Sequence, residues 1–173
     1  MTSGLSLKAR AFALLARREY SREELARKLM TAARRDAMRE DAFADDGAEE
    51  KADAETTSAA ITALLDELER DNWLSNPRFA QSFSRRRGAG RGTALVLHEL
   101  RQHKLDDADV QTVREQLQAS EAQRARAAWE KKFGQPPADA KAYAKQARFM
   151  MSRGFSASTF KQVLAQVAQS STE

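Results

Sequence analysis

Three stretches of the chain follow one plan: ARREYSREELARKL (16–29), RRRGAGRGTALVLHEL (85–100) and MSRGFSASTFKQVL (151–164). In each, basic residues close one apolar-periodic segment and a Ser or Gly opens the next. Apolar residues then fall four and eight places on: Leu25 and Leu29 after Ser21, Val96 and Leu100 after Gly92, Phe160 and Leu164 after Ser156. That spacing returns to one side of an α-helix, so each turn predicts a joint between two helices packed on a shared core. Tyr20 and Phe155 stand just before the cap as hydrophobic staples, and Arg91 holds that place in the middle copy. A chain built on such joints reads as all-α. Its expected architecture is three tandem three-helix repeats, helix-turn-helix-like modules in an elongated, curved arrangement. The expected boundaries are 1–75, 76–119 and 120–173.

Local signals agree. With 3 prolines and 7 glycines in 173 residues, little interrupts helix formation. Helices are expected from Ser6 to Glu19, from Ser21 to near Arg35, and from Ser58 through a stripe of Ile61, Leu64, Leu65 and Leu68. Ser21 with Glu24 makes a capping box. Asn76-Pro77 reads as an N-cap followed by proline at the first helical position. Further helices start beyond Gly92, near Asp106–Asp109, around Ala122, at Asp139 and after Ser156. Trp73, Leu74, Phe79 and Phe83, together with Phe12, Phe133, Phe149 and Phe160, are assigned to core packing.

Charge is unevenly spread. Residues 36–58 hold nine acids and two bases, a net of −7, so an overall +4 leaves +11 on the remainder. This stretch is nearly devoid of large apolar side chains and is expected to be a loop inserted in the first module. The rest is strongly basic. An anionic partner, nucleic acid first, explains that asymmetry; solubility alone is the other reading. No apolar run approaches the ~20 residues that span a bilayer. The N-terminal MTSGLSLKARAF lacks the apolar stretch of a signal peptide. The chain has no cysteine, hence no disulfide, thiol nucleophile or zinc–thiolate site. A cytoplasmic protein is the expectation.

The densest positive cluster is the middle turn. Arg85, Arg86, Arg87 and Arg91, with Arg101 and Lys104, could grip phosphate or acidic protein surfaces, because the guanidinium fork binds such groups bidentately. The plainer alternative is that arginines near a helix C-terminus offset its macrodipole. Lys131, Lys132, Lys141, Lys145, Arg148 and Arg153 form a second basic set. Gly88, Gly90 and Gly92 match neither a P-loop nor a dinucleotide fingerprint, and read as a tight turn. His98 and His103 lie five apart, on different sides of a helix, so a metal site is not expected. No catalytic constellation emerges. Neither an enzyme nor a cofactor is expected.

Taken in order, three blocks resemble the successive signatures of the bacterial RecX proteins, regulators of the RecA recombinase. They are LLARREYSREELARKL, then LLDELERDNWLSNPRFAQSFSRRRGAGRGTALVLHELRQHKL, then KKFGQPP with KAYAKQARFMMSRGFS. Trp73-Leu74-Ser75 leading to Arg78-Phe79-Ala80 and the Gly-x-Gly turn is the most specific part. The resemblance implies tandem three-helix repeats and binding to RecA and to RecA–DNA filaments. It also implies damped strand exchange and ATP hydrolysis, and altered RecA-promoted cleavage of the SOS repressor. A monomer is expected, with room for weak direct DNA binding. Two features depart from the family pattern: the length of the acidic insertion, and Arg91 where an aromatic is common. The alternative is a DNA-binding protein of helix-turn-helix units that acts without RecA.

Overall fold

The computed structural model describes residues 6–40 and 49–170, and the described residues contain helices and turns but no strand. Nine helices are described: α1 (Leu7–Leu15), α2 (Arg22–Glu40), α3 (Glu49–Arg70), α4 (Asn76–Gly88), α5 (Thr93–Arg101), α6 (Asp107–Ala119), α7 (Glu121–Lys132), α8 (Ala140–Ser152) and α9 (Ala157–Ser170). They fall into two compact units, Met1–Phe79 and Ala80–Glu173, with the boundary inside α4.

In the first unit α1, α2 and α3 bury one cluster. Leu25 and Leu29 of α2 meet Ile61, Leu64, Leu65 and Leu68 of α3, with Ala11, Tyr20 and Leu74 completing it. Ser6 Oγ accepts the Ala9 N–H and caps α1. Ser21 Oγ accepts the Glu24 N–H, as a capping box requires. The Glu24 carboxylate accepts from the Arg18 guanidinium, at 2.5 and 3.1 Å. This bidentate pair, with Arg18 stacked 3.8 Å from the Tyr20 ring centroid, stiffens the joint.

Three expectations need correction here. The acidic stretch is largely not a loop: α2 runs on to Glu40 and α3 begins at Glu49, so most of 36–58 is helical and 41–48 lies outside the described residues. The reason is that Ala, Glu, Lys and Met are strong helix formers, whereas a lack of large apolar side chains speaks only to burial. Residues 54–60 of α3 accordingly make no core contact that buries them. Trp73 is not core either. It is 57% exposed and lays only an edge contact on Phe12, ring centroids 5.3 Å apart. Its place in the left-handed turn after α3, beside Asn72 at φ 60°, turns it outward. Finally, Ser75 rather than Asn76 caps α4, its Oγ accepting the Arg78 N–H, while Asn76 Oδ1 accepts the Arg22 N–H.

In the second unit α5 buries Val96, Leu97 and Leu100, and α6 adds Val113 and Leu117. A second cluster joins α7, α8 and α9 through Ala125, Trp129, Met150, Phe155, Phe160 and Val163. Phe133 and Phe149 pack on it, half-buried. Trp129 Nε1 donates to Gln146 Oε1 at 2.7 Å, and Gln146 Nε2 donates to the Gln135 carbonyl, so the buried amide is satisfied. Asp139 caps α8 and Ser156 caps α9, as their positions predict. All the four-and-eight pairs face inward: Leu25, Leu29, Val96, Leu100 and Phe160 are buried, and Leu164 packs on the last cluster. The staples Tyr20 and Phe155 are buried too.

Candidate partner-binding surface

The middle turn is shaped by close backbone approach. Gly90 sits at φ 68°, the left-handed conformation that reverses the chain. Gly92 opens α5 and donates its N–H to the Arg153 carbonyl at 2.8 Å, tying this turn to the joint between α8 and α9. A Cβ on Gly92 would stand 1.9 Å from the Gly154 carbonyl oxygen, so two joints pack glycine against glycine. No side chain of its own caps α5. Instead Glu121 of α7 reaches across, and its Oε1 accepts the Thr93 N–H at 3.2 Å.

Arg124 fixes the assembly from the other side. Its guanidinium donates to the Gly88, Arg91 and Leu117 carbonyls and to Thr93 Oγ1, and its Nε donates to Ser120 Oγ. Burial lowers its pKa, with the charge of Glu121 opposing that shift. Three carbonyls at the end of α4, in the turn and near the end of α6 thereby gain a cationic donor. Neither Arg124 nor the glycine contact is apparent from the turn sequence. One signal does exist: Glu121 and Arg124 share the helical face of Ala125, Ala128 and Trp129, all buried.

On this scaffold the six predicted arginine and lysine positions separate. Arg85, Arg86 and Arg87 occupy the last turn of α4 and are exposed. Arg87 and Arg91 both turn to Glu99 of α5, at 3.4 and 2.5 Å, and the Arg87 guanidinium lies 5.9 Å from the Phe83 ring centroid. Arg85, Arg86 and Arg101 are exposed, with no ion-pair partner among the described residues. Arg101 and Lys104 lie at the far end of α5, about 12 Å along its axis from Thr93 at 1.5 Å per residue. Lys104 is exposed, in a turn at φ 50°.

One member of the second basic set joins the first. Arg153 donates to the Gly90 carbonyl at 3.3 Å and covers the Phe149 ring at 4.7 Å. With Arg91 and Glu99 it lines a cleft of about 400 Å³. Lys131, Lys132, Lys141, Lys145 and Arg148 are exposed elsewhere on α7 and α8. His98 is exposed, whereas His103 is half-buried with its ring 5.2 Å from Phe83. Among the described residues no group of His, Asp and Glu is arranged to hold a metal ion, and no helix is long and apolar enough to cross a membrane.

Fold and surface together define an all-helical repeat protein whose joints present arginine to solvent. Comparison with known proteins makes the class specific. Residues 119–164 match the model of the third three-helix domain of RecX. The regulatory protein RecX of Ralstonia pickettii (strain 12J) is 47% identical over 93% of this chain and 87% of its own length. That of Chromobacterium violaceum is 41% identical over 94% and 91%. A crystal structure of regulatory protein RecX shares the fold at a TM-score of 0.60 and 15% identity, covering 91% of this chain and 70% of that one. The chain belongs to the RecX family of regulatory proteins.

Proposed function

We propose that the chain binds RecA and RecA–DNA filaments and damps their recombinase, ATPase and co-protease activities, so tuning DNA repair and the SOS response. It acts by occupancy rather than by chemistry, as a cytoplasmic monomer without cofactor. Three modules, 1–75, 76–119 and 120–173, would each offer a face to the filament. Family membership supports the partner, and one observation carries the site. Glu99 neutralises part of the Arg87–Arg91 pair, while Arg85, Arg86 and Arg101 remain exposed without a carboxylate. Cations held ready for an external anion favour fast, salt-sensitive association.

The test adds the chain to RecA on single-stranded DNA and follows ATP hydrolysis and strand exchange. The wild type should depress both at stoichiometric concentration. The triple variant R85E/R86E/R101E should need roughly tenfold more protein for the same effect, as expected when several interfacial charges are reversed. Full inhibition by the variant would remove these arginines from the contact. Absence of inhibition and of filament binding by the wild type would remove the RecA reading. Salt-dependent binding to DNA without RecA, at useful affinity and with the same arginines, would favour the helix-turn-helix alternative.

A further inference from the structure

A second cationic site lies in the first unit. Helices α1 and α2 leave a cleft of about 540 Å³ between them. Arg10 and Arg17 stand on the α1 side, and Arg27, Lys28 and Arg35 on the α2 side. Between these rims the cleft is lined by Ala13, Leu14, Leu29 and Ala32, with Thr31 as the one uncharged polar side chain. Arg10 spends part of its charge on Asp36, at 2.6 Å, and Lys28 lies 5.9 Å from the Tyr20 ring centroid. Arg17, Arg27 and Arg35 are exposed, and none has an ion-pair partner among the described residues. Leu29, fully buried, forms the floor where the cleft meets the core of the first unit.

Shape and chemistry select among anions. A lining of alanine and leucine between two basic rims rewards a ligand with an apolar stripe flanked by carboxylates. An amphipathic helix is such a ligand, and small alanines let it approach closely. On the α2 rim Arg27 to Arg35 spans about 12 Å, a little over two turns of helix, while on the other rim Arg10 sits on α1 and Arg17 in the turn just beyond its end. Nucleic acid fits worse. No aromatic side chain lines the cleft, so unstacked bases find no platform. The phosphates of a duplex also need no apolar lining. We propose that the α1–α2 cleft is a docking site for an acidic amphipathic helix of a protein partner, seated with its apolar stripe on Ala13 and Ala32 and its carboxylates on the two basic rims. This goes beyond the RecA reading and does not depend on it.

The probe is a fluorescein-labelled helical peptide of about 14 residues, with Glu along two flanks of a Leu/Ala stripe, added to the full chain in low salt. Anisotropy should report saturable binding, and backbone amide shifts should concentrate in α1 and α2. A peptide with Gln in place of Glu should bind at least tenfold more weakly. So should the R17E/R35E variant, which alters only exposed side chains. Ala13→Phe fills the cleft without changing charge and should block binding equally, while circular dichroism confirms that each variant is folded. Equal affinity in the charge-reversed and filled variants would overturn the proposal. So would amide shifts in α1 and α2 produced by a single-stranded oligonucleotide but not by the peptide.

Discussion

Two residues decide how the middle joint is built, and both can be probed singly. Arg124 supplies a cation to three backbone carbonyls and a threonine hydroxyl, and its burial lowers its pKa, so its ties must offset a desolvation cost. Arg124→Met keeps much of the aliphatic packing but strands those acceptors. It is expected to cost about 2–3 kcal/mol in urea unfolding, the scale of lost charge-assisted hydrogen bonds. Arg124→Lys should recover little, because one ammonium cannot reproduce the planar fork. Gly92→Ala tests the opposite kind of constraint, absence of atoms. A methyl 1.9 Å from the Gly154 oxygen and 2.5 Å from the Phe155 nitrogen must drive the two joints apart. At least ~3 kcal/mol of destabilisation is expected, the upper range for overpacking. Gly88→Ala serves as the control. Its nearest contact would be the flexible end of Leu117 at 3.3 Å, so it should change the urea midpoint little.

At the level of single helices, α6 carries a titration that its sequence only hints at. Asp106 stands at its N-cap but makes no side-chain cap hydrogen bond. Burial first, and then the neighbouring Asp106 carboxyl, push the Asp109 pKa up to about 6. A carboxyl whose folded pKa lies above its unfolded value near 4 binds its proton more tightly when folded. Its stabilising contribution is therefore complete below about pH 4 and is lost as pH rises through about 6. Asp109→Asn removes the charged form. The variant should gain about 1 kcal/mol at pH 7.5, once solvent screening at this partly exposed site is allowed for, or roughly 2–4 °C in Tm. Below pH 4 the two proteins should melt together, and a constant difference across the range would refute the assignment. The elements also show what sequence can carry. Caps at Ser6, Ser21, Asp139 and Ser156, and the inward pairs from Leu25/Leu29 to Phe160/Leu164, are local, and local chemistry places them. The helical parts of 36–58 escape that reading because hydropathy registers burial and not backbone preference. Trp73 escapes it because a large aromatic next to a core stripe looks apolar whichever way its turn points. The partition of the arginines escapes it as well, since Glu99 reaches Arg91 only once the turn has closed.

For the molecule as a whole, the question is whether its modules are separable. Residues 120–173 contain a complete cluster from α7, α8 and α9, and the match to a three-helix domain spans much of the same segment. Yet the ties that order the middle turn come from that segment: Arg124 and Glu121 of α7, the Arg153 carbonyl, and the Gly154 backbone against Gly92. Each tie also serves the donor. Without residues 76–119 Arg124 would lose most of its acceptors, and a segment of this size buries barely enough apolar surface to offset chain entropy. Two fragments distinguish the possibilities. Residues 76–173 should fold alone, with helical circular dichroism and one cooperative urea transition, because they retain α4 through α9 and every one of those ties. Residues 120–173 should be helical but marginal, with a transition broader and at lower urea. Introducing Gly92→Ala into 76–173 should split its single transition, since the change opposes only the contact between joints and leaves both clusters intact. One sharp transition in that variant would mean that the modules cooperate through some other surface. A stable, sharply unfolding 120–173 would mean that the third module owes nothing to Arg124 and its acceptors.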